Sequence, residues 1–491
     1  MSILLRNACY ISPDCGAWHT GDILIDGGVI KEIGFIDAGK EQPEEIIDCT
    51  NKIVIPGLIN SHTHSYTGYL KGTIDNVPLD IYMLFAIAGG SFRTPREIFI
   101  SSQLEALNML KRGTTSIVDH FAERPAISLE GLKSTAEGFK ALGMKAKVAT
   151  MFADRGFFET VPMLPGELPR EVLAPSGGKQ QTVDEYIEEV EKAYCEYRDD
   201  ELIDIMLGTD GPQRCSDELL LKTGELEAKY KMGWETHILE AKTQALVANR
   251  AYGKGLIEHM DELGILNERT ALVHHVWVSD KELELVAKRG ATVVHCPSSN
   301  LHLGSGVAPI DRYVDMGIDV AIGTDGGNCG SVGILEQVKL VASLHNVAQV
   351  DYEKWFSAEA ALRMEYAGGA KILGKKIGKL EVGYEADLTL IDIDNVFWQP
   401  VNNLSRQLVY YENGSNVDTV FIAGRKVLEH GKSTLINEAD LLAEAKEIAD
   451  KLKKDSAKSF ELVEKQIPYF RGMYMREIKN DVGYNRFIRD I

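Results

Sequence analysis

The chain has 491 residues, 44% of them hydrophobic, which is long enough for a large barrel with one or two smaller units beside it. Its formal net charge of −20 argues against nucleic acid or an anionic membrane surface as a partner. The amino terminus lacks the pattern of a signal peptide, no uncharged apolar run reaches membrane length, and the seven cysteines form no C-x-x-C pair, so we expect a cytoplasmic protein with free thiols.

The two ends of the chain carry similar patterns of short strands. Segment 22–34 contains an apolar run, a Gly-Gly turn and an alternating run, which predicts a β-hairpin. Segments 378–392 and 418–427 share its length and residue types. We therefore expect residues 1–55 and 375–435 to pair into one small β-sandwich domain, with a barrel inserted between them.

Residues 56–374 alternate β-branched apolar runs with amphipathic stretches of helical length. The runs that predict strands are 114–118, 146–152, 203–207, 233–238, 271–274, 292–295 and 319–322. Helices are predicted over 96–111, 183–197, 216–231, 243–263, 280–287 and 332–348. With the strand that carries His62, this makes about eight β-then-α units, so the predicted fold class is α/β with a (β/α)8 TIM-like barrel.

Two further segments lie outside this alternation. Segment 154–180 carries four prolines and is too long for a plain turn, so we expect a flap beside the third strand. Residues 436–491 predict a helical extension with Leu441, Ala445 and Ile448 on one apolar stripe. Such a tail packs on its own body or on a neighbouring subunit, and we expect a homo-oligomer, a dimer or higher.

The segment PGLINSHTH at 56–64 follows the β-branched run 53–55. We expect one strand through both, in which alternation places His62 and His64 on the same side of its carboxyl end. Two imidazoles on one side of a strand end make half of a metal site. A pair of hydrogen-bonded surface histidines is the alternative, and it is weakened because His and Asp recur at later strand ends.

Three later strand ends carry side chains of the same kind. His237 closes one strand with Glu240 three residues on, His274 ends another, and Asp325 follows a third. Each has an ordinary interpretation: a buried histidine, a surface acid, a residue of a turn. The carboxyl ends of all strands in a (β/α)8 barrel face one pocket, so their joint occurrence favours an active site.

Several motifs in order give the chain a family resemblance. They are PGLINSHTH, GTTSIVD, THILE, ALVHHVWVSDKELELVAKRGATVVHCPSSN, GTDGG and GKLEVGYEADLTLID. The chain resembles the amidohydrolase superfamily, in the branch that contains methylthioadenosine/S-adenosylhomocysteine deaminases, guanine deaminases and s-triazine hydrolases. The resemblance runs from the amino terminus to about Gly431 and leaves out the final helical segment.

The resemblance implies that His62, His64, His237 and Asp325 bind one divalent metal ion, normally zinc and sometimes iron. Three imidazoles and a carboxylate suit zinc or Fe(II) better than magnesium or calcium. Such a metal lowers the pKa of water from about 15.7 towards about 7. No lysine occupies a position in the third or fourth strand where a carbamate could bridge two metals, so we expect one metal per chain.

The resemblance also assigns roles to three side chains. Asp325 would accept the proton of the attacking water, and Glu240 would deliver a proton to a ring nitrogen. His274 would hydrogen-bond the attacking oxygen or the tetrahedral intermediate. Alternation sends His274 and His275 to opposite sides of the strand, and the motif favours His274 for this role.

The residues that we expect to contact the substrate differ from those of the adenosine-type deaminases. Where those enzymes have Gly-Pro-His after the fourth strand, this chain has Gln213 in place of the histidine, followed by Arg214. Glutamine suits a lactam edge and a guanidinium suits an oxo or carboxylate group, which favours an oxopurine or pterin. An Arg214 that points to solvent in a surface salt bridge is the alternative. His120, after the second strand, is a further candidate for the pocket wall.

Three functions remain open at this point. The first is a hydrolytic deaminase that acts on a purine, pterin, pyrimidine or triazine as a small heterocyclic substrate. The second is a hydrolase of the same fold that expels chloride or an alkylamine, or opens a ring amide. The third is an inactive scaffold or metal-binding protein. Glu240 favours the first function, because ammonia departure benefits from protonation of the ring, and the complete ligand set disfavours the third.

Overall fold

The computed structural model describes residues 2–173 and 181–488. The amino-terminal strands β1 to β5 are Ile3–Ile11, Trp18–Asp26, Val29–Gly34, Glu45–Asp48 and Lys52–Pro56. Strands β6 to β14 are Leu58–His64, Thr114–Phe121, Lys145–Phe152, Ile203–Thr209, Trp234–Ile238, Thr270–His274, Thr292–His295, Val320–Ile322 and Asp325–Gly326. The carboxyl-terminal strands β15 to β18 are Leu388–Asp392, Val417–Ile422, Arg425–Glu429 and Lys432–Ser433.

The helices occur mostly between the strands of the middle part. Helices α1 to α8 are Ala38–Glu41, Leu79–Gly90, Pro95–Leu110, Leu129–Lys140, Val183–Tyr197, Asp217–Tyr230, Lys242–Tyr252 and Leu256–Glu262. Helices α9 to α16 are Asp280–Arg289, Pro297–His302, Ile310–Asp315, Ile334–Ala348, Ala358–Leu373, Leu404–Tyr410, Glu438–Asp455 and Ala457–Glu477. None of these helices in the described ranges is long and apolar enough to cross a membrane.

Local sequence explains where many of the helices begin and end. Helices α3, α5 and α9 each start at a capping box, in which a Ser or Thr hydroxyl and a Glu carboxylate satisfy the first free backbone N–H groups. The stretch 243–263, predicted as one helix, is two helices. Gly253 ends α7 in the left-handed conformation with φ of 68°, which a glycine adopts at little cost, and α8 starts again after Gly255.

Strands β6 to β13 pair in chain order, each parallel to the next. Strand β14 follows β13 after two residues and pairs with β6, where Asp325 lies opposite Thr63. The sheet therefore closes on itself, and the predicted (β/α)8 barrel is confirmed. Its carboxyl rim is where the predicted site residues lie.

A second sheet is built from both ends of the chain. Strand β5 lies in its middle, parallel to β1 on one side and antiparallel to β15 on the other. The order is β18-β17-β16-β15-β5-β1-β2-β3, with β4 also on β1. The predicted pairing of the two chain ends around an inserted barrel is confirmed.

The prediction of one strand through 53–64 is wrong, because the chain changes sheets at Gly57. The N–H of Gly57 donates to Asp387 of the second sheet at 2.8 Å, and the next N–H, of Leu58, donates to Gly113 of the barrel at 2.9 Å. A Cβ on Gly57 would lie 2.2 Å from Oγ1 of Thr115. Only a glycine lets the two sheets approach this closely, and the strand that carries both histidines starts after it.

The carboxyl-terminal extension packs on the chain's own body, beside the carboxyl rim of the barrel. In α16, Val463, Phe470 and Met473 pack with residues of α2 and of the predicted flap. The ring of Phe470 stacks on Phe157 of the flap at 5.8 Å between centroids. Arg476 donates to the carbonyl oxygen of Pro162 at 2.9 Å. Residues 174–180 of the predicted flap lie outside the described residues.

Candidate active site

Four side chains at the carboxyl rim of the barrel converge on one point. Nε2 of His64 lies 3.2 Å from Nε2 of His237 and 3.2 Å from Oδ1 of Asp325. Nε2 of His62 lies 3.7 Å from the same oxygen of Asp325. The four residues that the sequence nominated as metal ligands therefore come together, from strands β6, β10 and β14.

Hydrogen bonds on the outer side of the rings determine which nitrogen is free. Nδ1 of His64 lies 2.7 Å from the carbonyl oxygen of His120, and Nδ1 of His237 lies 2.6 Å from the carbonyl oxygen of Asp210. A carbonyl oxygen can only accept, so each Nδ1 carries the proton. Each Nε2 is left with a lone pair that points to the shared centre, which is how histidine binds a metal.

His62 follows the same arrangement with a carboxylate as its outer partner. Its Nδ1 lies 3.3 Å from Oε1 of Glu235, and both groups are fully buried. Within the described residues its Nε2 has no hydrogen-bond partner. A buried nitrogen without a partner is costly, and a divalent metal held by three imidazoles and one carboxylate would satisfy it. The residues present therefore fit zinc or Fe(II).

Asp325 is held as an ionised carboxylate. Burial alone raises the pKa of this carboxyl group, but the nearby rings of His62, His64 and His274 outweigh burial, so its pKa lies well below the usual value. Its second oxygen, Oδ2, accepts a hydrogen bond of 2.5 Å from the hydroxyl of Ser299. The residue adopts φ of 63°, an uncommon conformation for a non-glycine residue that is typical of functional sites.

Glu240 and His274 form a second pair in the same cavity. Oε2 of Glu240 lies 3.6 Å from Nε2 of His274. Burial, followed by the negative charge of Asp325, raises the pKa of Glu240 well above its usual value, which favours the protonated form of this carboxyl group. Burial lowers the pKa of His274 to about 4, so its ring is neutral, and its Nδ1 lies 3.0 Å from Oδ1 of Asn300.

The structure places His274, rather than His275, in the cavity. His275 points the other way, with Nδ1 3.2 Å from the hydroxyl of Tyr313. Both histidines have positive φ, 68° and 47°, where the strand turns into the following loop. Opposite orientation of the two rings is what strand alternation predicts.

Gln213 and Arg214 both line the cavity, together with residues from α2. Oε1 of Gln213 is buried and has no hydrogen-bond partner among the residues that the structure describes. Arg214 does not point to solvent. It donates to both oxygens of Asp210 at 3.0 Å, and its guanidinium lies 4.9 Å from the ring centroid of Phe157. The polar edge of this cavity wall therefore combines the buried Oε1 of Gln213 with a guanidinium that is paired with Asp210.

His120 lies deeper than expected. The second strand runs to Phe121 rather than ending at Val118, so His120 is inside the barrel rather than in the following loop. Its ring stacks on His237 at 4.6 Å, it is fully buried, and it is absent from the cavity lining. This placement does not support the predicted contact between His120 and the substrate.

Some residues of the site were not singled out from the sequence. Ser299 and Asn300 hold Asp325 and His274 in place, and the CPSSN motif was the signal that could have identified them. Asp119 accepts two hydrogen bonds of 2.7 Å from Ser65, which fixes the turn after His64. Nothing in the sequence marked Glu235 as a site residue except its position two residues before His237, a predicted metal ligand.

Comparisons with known proteins agree with this geometry. A family model described as "Amidohydrolase family" matches residues 53–427. A 5-methylthioadenosine/S-adenosylhomocysteine deaminase from Pyrococcus furiosus is 30% identical over 442 residues, which cover 90% of this chain and 98% of that protein.

Two solved structures extend the likeness to the fold. An adenosine deaminase from Xanthomonas campestris with bound zinc aligns with a TM-score of 0.81 at 25% identity, over 92% of this chain and 98% of that chain. The atrazine chlorohydrolase TrzN from Arthrobacter aurescens TC1, complexed with zinc, aligns with a TM-score of 0.82 at 25% identity, over 91% of this chain and 100% of that chain. Both similar proteins hold zinc.

Proposed function

The chain belongs to the amidohydrolase family, and we propose that it is a metal-dependent deaminase that releases ammonia from an amino-substituted nitrogen heterocycle. The observation that carries the proposal is the 3.6 Å approach of Glu240, whose pKa is raised, to His274, whose pKa is lowered, beside the ligand cluster. An acid and a base that face one cavity are what hydrolytic loss of an amino group needs.

The metal would be held by His62, His64, His237 and Asp325. When bound, zinc would supply a water molecule whose pKa falls from about 15.7 towards about 7. The proposal of one zinc per chain rests on the overlap of the candidate ligand groups among the described residues, which share His62 or Asp325, and on the zinc in the two similar structures. Metal analysis of the purified protein that returns two equivalents per chain would contradict it.

The proton transfers fall to this chain's own residues. Asp325, ionised and with Oδ2 held by Ser299, accepts the proton of the attacking water and passes it to the amino group, which leaves as ammonia. Glu240 gives its proton to a ring nitrogen, which makes the neighbouring carbon more electrophilic. His274 donates from Nδ1 to Asn300, so its Nε2 is left to accept a hydrogen bond from the attacking oxygen.

The names of the relatives and the residues of the cavity wall both support a class of substrate. The relative from Pyrococcus furiosus is named for two adenosine derivatives, and this supports a purine ring. Gln213 supports a lactam edge on that ring: its buried Oε1, which has no partner among the described residues, can accept from a ring N–H, and its amide N–H can donate to the adjacent oxo group. The proposal therefore covers aminopurines and related rings, and the ring substituents are left to experiment.

A second candidate function has one observation in its favour. The likeness to an atrazine chlorohydrolase supports a hydrolase of the same fold that expels chloride or an alkylamine. The buried acid Glu240 favours ammonia as the leaving group, since protonation of the ring assists its departure more than that of chloride.

The experiment that tests the proposal is a product screen with zinc-loaded enzyme. Purines, pterins, pyrimidines and triazines are assayed for ammonia, chloride and alkylamine. Ammonia from at least one amino-substituted ring is expected, and chloride or alkylamine alone would favour the second candidate. The predicted homo-oligomer and cytoplasmic location rest on the sequence and stay predictions, which size-exclusion chromatography and cell fractionation can check.

A further inference from the structure

A carboxylate occupies the interior of the barrel beneath the proposed metal site. Glu235 stands two residues before His237 on β10, so both side chains point into the barrel. The neighbouring strands fill this interior with apolar side chains: Ile59, Val118, Ala149, Met206, Ala271, Val273, Val294 and Ala321. A fully buried carboxylate among such residues is costly unless it is paired, so Glu235 needs an explanation.

The partners of Glu235 are two histidines. Oε1 lies 3.3 Å from Nδ1 of His62, and Oε2 lies 3.5 Å from Nδ1 of His120. Both rings are fully buried. In the described part of the chain, none of these four atoms has a hydrogen-bond partner. The carboxylate of Glu235 therefore lies between the imidazole rings of His62 and His120, with one ring beside each oxygen.

We propose that Glu235 is a positioning residue that fixes His62 as a metal ligand, and that His120 serves to hold the second oxygen of Glu235. The inference rests on the metal site of the proposed function and not on the identity of the substrate. It gives His62 the outer partner that backbone carbonyl oxygens give to His64 and His237.

Two physical effects support this role. A carboxylate that accepts from Nδ1–H fixes the tautomer of His62 and makes its Nε2 a stronger donor to a metal. The negative charges of Glu235 and Asp325 together also balance a divalent cation in a site where water cannot screen it. Backbone carbonyl oxygens fix a tautomer but bring no charge, so Glu235 contributes more than the partners of His64 and His237.

His120 fits as the second partner of the carboxylate. Its Nδ1 lies 3.5 Å from Oε2 of Glu235, and both side chains are fully buried. The stacking of this ring on His237 holds it in that position beside the carboxylate. This accounts for a histidine that is buried under the site and does not line the cavity.

The test compares Glu235→Gln with wild type in the full-length protein. Zinc affinity is measured by competition with a chelator, and the visible absorption of the cobalt(II)-substituted protein reports the ligand geometry. We expect about 10- to 100-fold weaker zinc binding, the usual effect of losing an outer partner, and a changed cobalt spectrum. Glu365→Gln is the matched control, because Glu365 is also a buried carboxylate but accepts from the backbone N–H of Ile59 at 2.6 Å. Its zinc affinity should equal that of wild type.

A second variant keeps the inference testable if Glu235→Gln does not fold. His120→Phe preserves a stacking ring and removes the N–H, and we expect several-fold weaker zinc binding with KM for the substrate unchanged. Unchanged zinc affinity and an unchanged cobalt spectrum in either folded variant would overturn the inference, as would a raised KM with normal zinc affinity in His120→Phe. A wild-type protein that binds no zinc would instead overturn the proposed metal site itself.

Discussion

Oε2 of Glu240 lies 3.6 Å from Nε2 of His274; Glu240 follows strand β10, and His274 ends the neighbouring strand β11. Burial shifts the two groups in opposite directions, since it raises the pKa of Glu240 and lowers the pKa of His274 to about 4. Near neutral pH the pair therefore holds a proton on the carboxyl group and a lone pair on the imidazole. Groups whose pKa values are pushed apart in this way are suited to acid and base roles in one reaction.

The first prediction concerns Glu240→Gln. The amide keeps the size of the side chain but cannot deliver a proton, so kcat should fall on the order of 100-fold or more. Zinc content should stay at the wild-type level, because Glu240 is not among the proposed ligands. The measurement is steady-state kinetics with metal analysis on the same sample. Near-normal turnover would rule out the acid role and favour the second candidate function.

The second prediction is the pH dependence of kcat/KM. A carboxyl group with a raised pKa stays protonated, and active as an acid, until the pH rises through that value, so activity should be lost on the alkaline side. His274 should stay neutral until the pH falls to about 4, which places the acid limb there. The residual activity of Glu240→Gln should lack the alkaline limb. Persistence of that limb in the variant would show that another group causes it.

The third prediction concerns Gln213. If its unpaired amide binds an oxo group, Gln213→Ala should lower kcat/KM for an oxo-bearing substrate by roughly tenfold, the effect of about one hydrogen bond. The matched substrate without the oxo group should be nearly unaffected. The comparison uses pairs of aminopurines that differ only at that position. An equal loss for both, or adenosine analogues as the best substrates, would show that Gln213 does not select the oxo group.

The fourth prediction concerns the carboxyl-terminal extension. Phe470 of α16 stacks on Phe157, and Phe157 covers the guanidinium of Arg214 at the cavity. Phe470→Ala should remove about 3 to 5 kcal/mol of stability and raise KM, because the wall formed by Phe157 loses its support. Zinc affinity should not change. Met475→Ala, on the same helix with a side chain about half exposed, is the control and should change neither quantity.

One result of these measurements would show that the extension stabilises the fold but does not shape the cavity. If Phe470→Ala lowers the melting temperature but leaves KM at the wild-type value, the contact with Phe157 does not reach the substrate. Both measurements are made on zinc-loaded protein, so that any change in KM is not caused by loss of metal.

Much of the site could be predicted because parallel strands bring their carboxyl ends together. His62 with His64, His237 and Asp325 each follow an apolar run, and the closed barrel brings them into contact as expected. The break between strands β5 and β6 at Gly57 could not be predicted, since the residue types of the run 53–55 suit either sheet. It depends on Thr115, which is distant in the sequence and leaves no room for a side chain at position 57.

Other contacts depend on pairs that no local pattern indicates. Glu235 is an ordinary polar residue in an alternating strand until His62 and His120 are seen to face it. The predicted position of His120 was too shallow because the strand continues for three residues beyond its apolar run. Likewise the contact between Phe157 and Phe470 joins the flap of the barrel to the carboxyl-terminal extension, which is about 300 residues away in the sequence.

The most direct test of the proposed deamination is the reaction in ¹⁸O-labelled water with zinc-loaded enzyme and the best substrate of the product screen. Ammonia and the oxo product are quantified together, and the label in the product is read by mass spectrometry. The account predicts one ammonia for each product molecule, one solvent oxygen at the carbon that carried the amino group, and loss of both signals in Glu240→Gln. Product that forms without ammonia, or without solvent oxygen at that carbon, would contradict it.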